Sequence, residues 1–190
     1  PVFLSDKGKQ LWNELVEKKC LQVVSGKLPV TFYRSVEDLP GFTDYSMAGR
    51  TYRYFSGEPM YPFGYGLSYT SFRYQDAKIL QDTEDVLEIS VTVENTGAMD
   101  GKEKVQVYGS FTDSRTVTPI RQLCGLQAVK LAAGEKKTVT VEIRKYWLSA
   151  VLEDGSRVPA DGKVVLSIGG HQPDARSAAL CPDNLITVEL

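Results

Sequence analysis

The run VLEISVTVENTG at residues 86–97 decides how the chain reads. Leu87, Ile89, Val91 and Val93 fall on one side of an extended backbone, and Glu88, Ser90, Thr92 and Glu94 on the other. This two-residue period belongs to a strand with one face buried. Asn95-Thr96-Gly97 then supplies residues that tolerate positive φ or bond their own backbone, so the strand ends in a turn. Working outward, the same texture recurs: Ser68–Leu80, Lys104–Phe111, Leu123–Leu131, Thr138–Ile143, Lys163–Ile168 and Leu185–Glu189 read as further strands. Asp100-Gly101, Ala133-Gly134-Glu135, Asp154-Gly155 and Asp161-Gly162 are the turns between them. With no amphipathic helix expected among them, these strands predict a mainly β fold, an antiparallel sandwich of immunoglobulin-like or fibronectin type III-like kind.

Upstream, residues 42–74 hold eleven of the nineteen aromatic residues, threaded with Gly49, Gly57, Pro59, Pro62, Gly64 and Gly66. Glycine loses backbone entropy in a helix and proline removes a donor, so an ordered, extended connection is expected. Its rings can pin two domains together or stack against a sugar. Further upstream, Leu11, Trp12, Leu15 and Val16 recur at helical spacing within Asp6–Cys20, with Ser5 or Asp6 as N-cap. Leu21–Val24 reads as a brief strand and residues 25–32 as a turn leading into an extended piece. Together they look like the edge of an α/β layer. The expected organisation is a C-terminal piece of an α/β-sandwich domain (1–40), an aromatic-rich interdomain connection (41–66) and the β-sandwich (67–190).

Composition narrows the function. The chain has 190 residues, 42% hydrophobic and 24% charged, with a net charge of −2 and mixed signs along its length. That is enough to build a packed core, and it carries no footprint for nucleic acid or an anionic membrane. Cys20, Cys124 and Cys181 are widely spaced and His171 is the only histidine, so neither a zinc site nor a disulfide framework is indicated. A single Cys124–Cys181 bridge stays open. Free thiols fit a reducing compartment, which makes a cytoplasmic location the expectation. Secretion stays open if an upstream leader was removed. No charged-then-apolar leader stands at Pro1, and no stretch approaches the roughly 20 apolar residues that cross a bilayer.

Four separated motifs carry a resemblance: SGKLPVTF (25–32); DYSMAGRTYRYF (44–55) followed by GEPMYPFGYGLSYTSFRY (57–74); RQLCGLQAVKLAAGEKKTVTVEI (121–143); and SIGGHQPDARS (167–177). In order and spacing the chain resembles the C-terminal part of glycoside hydrolase family 3, the β-glucosidases and β-xylosidases. The resemblance implies a fibronectin type III-like domain preceded by a remnant of the family's α/β-sandwich domain. It further implies retaining hydrolysis without a cofactor. The Asp nucleophile would come from an N-terminal (β/α)8 barrel and the Glu acid/base from the α/β sandwich. Neither surrounding motif is present here, so the chain alone is expected to be inactive, with those catalytic domains as its partners. Pro1–Val24 departs from what would precede SGKLPVTF.

Asp44 and Glu58 are the only acids inside the aromatic segment. Retaining hydrolysis needs two carboxyls about 5 Å apart in locked geometry. The reading adopted makes both loop residues that bond backbone or pair with Arg50 or Arg53, so no catalytic residue and no metal ligand is assigned. Arg50, Tyr52, Arg53, Tyr54 and Phe55 are assigned to an interdomain seam, where guanidiniums stack on rings or clamp a carboxylate. Tyr61, Phe63 and Tyr65 are the candidates for contact with an oligosaccharide. Trp12 and Trp147 are read as core or seam, His171 as a solvated loop residue, and Lys102, Lys104, Lys130, Lys136 and Lys137 as solvent faces of strands. Two rival readings are a stand-alone carbohydrate-binding or adhesion module, and a non-catalytic subunit that assembles with a separate barrel.

Overall fold

The computed structural model describes residues 26–182 and 184–190. The expected helix over Asp6–Cys20 and strand over Leu21–Val24, with Trp12 and Cys20, lie outside the described residues. Two antiparallel sheets face each other. One has three strands in the order β1 (Phe72–Asp82), β2 (Val86–Asn95), β5 (Lys136–Arg144). The other has four, β4 (Gln122–Leu131), β3 (Gly101–Thr112), β8 (Lys163–Gly169), β9 (Leu185–Glu189). The mainly β sandwich expected from the alternating runs is the fold observed.

The pattern of β2 sets the register. Leu87 faces Ile143, Ile89 faces Val141 and Val91 faces Val139 across the β2–β5 ladder. All four odd-numbered apolar residues of β2 are buried, and they meet Val105 and Val107 of β3 and Leu166 and Ile168 of β8 in a single core. A slip by one residue would turn this whole set to solvent, so burial holds the register. On the outer face the Thr92 and Thr138 hydroxyls lie 3.2 Å apart, and Lys136 Nζ is 3.4 Å from Glu94. Asn95, fully buried at the end of β2, donates to the carbonyls of Met99, Leu131 and Ala132 and so ties the turn to β4.

Several details differ from the sequence reading. β1 begins at Phe72 rather than Ser68, because residues 68–70 bend so that the Thr70 hydroxyl meets Asn95 Oδ1 at 2.5 Å. A hairpin of β6 (Ser149–Val151) and β7 (Arg157–Pro159) follows a 3-10 turn at Lys145–Leu148. A six-residue helix at Ala175–Leu180, with no counterpart in the sequence reading, precedes β9. There Asp174 acts as N-cap, its Oδ1 accepting from the Ser177 N–H at 2.6 Å, which supplies a partner for an otherwise orphaned donor. His171 is corrected as well: it is 2% exposed, with Nδ1 2.9 Å from the Gln172 carbonyl and Nε2 3.2 Å from that of Cys181. The ring lies buried between two backbone carbonyls rather than in solvent, and whichever nitrogen carries the proton donates to one of them. Cys124 and Cys181 are free thiols, not a bridge. Among the described residues no helix is long and apolar enough to cross a membrane.

β3 is covered on both faces. Val105 and Val107 point into the core, while Gln106 and Tyr108, on the opposite face, are also buried. What covers that second face is the aromatic-rich segment.

Candidate functional site

The segment before β1 folds back over β3. Residues 26–34 and 58–66 bond to each other: Leu28 N–H donates to Tyr65 O at 2.8 Å, Gly64 N–H to Leu28 O at 2.8 Å, and Phe32 N–H to Tyr61 O at 2.9 Å. Gln106 reaches up from β3, its Nε2 donating to Gly64 O at 2.9 Å and Gly170 O at 2.8 Å, while Tyr108 OH donates to its Oε1 at 2.6 Å. Gly64 sits at φ +77° directly over these two side chains, where a Cβ would run into Gln106 Oε1 and Tyr108 OH. Glycine is needed there for both backbone conformation and space.

A second anchor is the helical turn α1 (Thr51–Tyr54). Its first N–H donates to Tyr33 OH at 2.8 Å, the Tyr52 hydroxyl accepts from Leu123 N–H of β4 at 3.2 Å, and the Arg53 carbonyl accepts from Ile120 N–H at 2.8 Å. Tyr52 stacks on Phe63 with ring centroids 4.1 Å apart and meets Tyr108 edge-on at 6.1 Å. Phe55 is buried against the edge of Tyr33 at 4.8 Å. Arg50 lashes its own loop, bonding the carbonyls of Ser46 at 3.0 Å and Asp44 at 2.5 Å. Arg53 lies 5.4 Å over the Tyr54 ring.

The ligand candidates are brought together within this packing. Tyr61 and Tyr65 stack at 5.8 Å with rings nearly parallel, and Tyr65 keeps only 8% of its surface. Phe63 lies on Tyr52, and Tyr61 and Phe63 remain partly open. Burial raises the phenol pKa of Tyr52 and Tyr65, and raises that of Tyr108 well above the ordinary range. The two acids are held apart from these rings by their own partners. Asp44 accepts from Ser46 N–H at 2.8 Å, a bond that lowers its pKa. Glu58 pairs with Arg34 and lies 4.0 Å from Arg176. Among the described residues no group of three His, Cys, Asp or Glu side chains could hold a metal ion.

Sequence reasoning missed the floor of the site, Gln106, Tyr108 and the Arg121–Asp174 pair at 3.7 Å. One signal was available: from Val105 to Phe111 no residue is charged, as a strand covered on both faces requires. It also passed over the most exposed aromatics of the segment, Phe42 at 77%, Tyr45 at 89% and Tyr69 at 71% exposure.

These features define a class, a fibronectin type III-like sandwich with an aromatic segment packed on its four-stranded sheet. Residues 103–172 match the fibronectin type III-like domain family. The chain is 41% identical over 122 residues to a xylan 1,4-beta-xylosidase of Xylanibacter ruminicola, a match covering 63% of this chain and 14% of that protein. It is 34% identical to a beta-glucosidase of Kluyveromyces marxianus over 90% of this chain and 22% of that one. The crystal structure of the Kluyveromyces beta-glucosidase in complex with glucose superposes with a TM-score of 0.70 at 32% identity, over 87% of this chain and 21% of the other. The chain therefore belongs to glycoside hydrolase family 3, in the β-glucosidase and β-xylosidase group, and corresponds to the C-terminal region with its fibronectin type III-like domain. It spans about a fifth of the length of relatives such as the Kluyveromyces enzyme.

Proposed function

We propose that this region is the accessory C-terminal part of an enzyme that hydrolyses terminal β-D-glucosides or β-D-xylosides with retention of configuration. In that enzyme a barrel Asp attacks the anomeric carbon and a Glu of the α/β-sandwich domain protonates the leaving group, without a metal or organic cofactor. The 190 residues brace those domains, and Tyr61, Phe63 and Tyr65 border the outer substrate subsites.

One observation carries the reading: Tyr52 and Phe63 of the connection pack against Tyr108 of β3, and both acids are committed elsewhere, Asp44 to a backbone N–H and Glu58 to Arg34. A catalytic pair needs carboxyls free to face a substrate. The purified chain is expected to release no nitrophenol from aryl β-glucoside or β-xyloside. Robust turnover that disappears in Asp44→Asn would place a catalytic site within these residues and overturn the accessory role. The exposure of Phe42 and Tyr45 favours a second reading, a sugar-binding module. Retardation of the chain in an oligosaccharide-containing gel, lost in Tyr45→Ser, would select it.

A further inference from the structure

A cleft of about 40 Å³ opens where α1, the start of β4 and the β6–β7 hairpin meet. Arg53, Gln122, Trp147, Ser149 and Arg157 line it, and no carboxylate does. Arg53 carries a buried Nε without a hydrogen-bond partner. Arg157 is held in place, its guanidinium 4.1 Å over the Tyr146 ring and its Nη1 donating to Ser149 Oγ at 3.2 Å. Neither arginine has an ion-pair partner among the described residues, nor do Arg50 and Arg144, whereas Arg34, Arg73, Arg115, Arg121 and Arg176 do.

We infer that this cleft binds a carboxylate, and that the carboxylate belongs to a sugar acid. Two guanidiniums on one small cleft repel each other until an anion lies between them, and a planar fork of N–H donors matches a planar carboxylate. The volume admits a group of carboxylate size, so the remainder of the ligand stays at the mouth. There Trp147, 45% exposed and held edge to face with Tyr146 at 5.2 Å between centroids, presents an aromatic surface on which a sugar ring can lie. The choice of a saccharide among carboxylates rests on the family reading above. The carboxylate itself rests on the cleft.

The test uses the 190-residue chain and reads no activity, so it fails or succeeds independently of the accessory role. Methyl β-D-glucuronide, the neutral methyl β-D-glucoside and acetate are titrated while arginine Nε–H resonances and tryptophan fluorescence are followed. Saturable binding of the glucuronide in the millimolar range is expected, about tenfold tighter than acetate, absent for the glucoside and weakened by salt. Arg157 is exposed, so Arg157→Gln should fold and lose about tenfold in affinity, and Arg157→Lys should recover only part of that loss, since it restores charge but not the fork. No saturable response, or one unchanged in Arg157→Gln, overturns the site. Equal binding of glucoside overturns the carboxylate, and equal binding of acetate overturns the sugar.

Discussion

Glu103 is an acid with 2% exposure on the core side of β3, bonded by Lys27 Nζ at 2.9 Å and by Tyr74 OH at 3.3 Å. Burial raises its pKa, with Lys27 opposing the rise. Asp161 has the opposite character: it is exposed, and hydrogen bonds from Ser114 and Arg115 lower its pKa to about 2. The signs follow from linkage. A raised folded pKa means the native state binds its proton more tightly, so the contribution of Glu103 is fully present below its ordinary value of 4.5 and is lost as pH rises through the folded value. The contribution of Asp161 is present above 3.8 and is lost as pH falls toward about 2. Urea midpoints measured across the acid range should show Glu103→Gln gaining on the natural protein as pH rises above 4.5. Asp161→Asn should lack the fall at the acid end. Profiles parallel to that of the natural protein would refute both assignments. Neither effect was legible in sequence, because Lys27 and Glu103 meet only when the segment before β1 closes over the end of β3. His171 was misread for a related reason: its partners are backbone carbonyls, and a carbonyl leaves no mark in the amino-acid code.

The seven strands expected from alternation and turn residues all form, and that part of the fold was open to reading because the period-two signal is local. The β6–β7 hairpin escaped because three residues a side are too short to show a period. The helix at Ala175–Leu180 escaped for the same reason, though Asp174 is an ordinary N-cap. β3 shows the limit of alternation more sharply. Only Lys102 and Lys104 of this strand were read as facing solvent, and nothing in the sequence reading placed Gln106 and Tyr108 as the floor beneath Gly64. Gly64→Ala should therefore cost about 3 kcal/mol, combining a disfavoured positive φ with a clash against two buried side chains. Tyr108→Phe should cost about 1–2 kcal/mol by leaving Gln106 Oε1 without its donor. Chemical denaturation measures both. A Gly64→Ala variant as stable as the natural protein would mean that the segment does not rest on β3.

The connection and the sandwich share buried groups at both ends: Gln106 with Gly64, Lys27 with Glu103, and α1 with Ile120 and Leu123. Residues 26–190 should then unfold in one transition, with calorimetric and van't Hoff enthalpies equal. The amides of Leu28, Phe32 and Gly64 should exchange together with those of β3. Two separated transitions would show that the connection is only draped on the sheet.

The order of strands along the chain, the sandwich and the family all follow from short-range patterns and contiguous motifs, so they are written in the residues themselves. The fate of the aromatic rings is not. A ring in a Gly- and Pro-rich segment can stack on a sugar, on a neighbouring domain or on its own sheet, and local sequence is the same in each case. Only closure of the segment over β3 places Tyr52 between Phe63 and Tyr108 while Phe42 and Tyr45 stay in solvent. The Tyr52–Tyr108 contact joins residues far apart in the chain, and its energy exists only once both sides are in place.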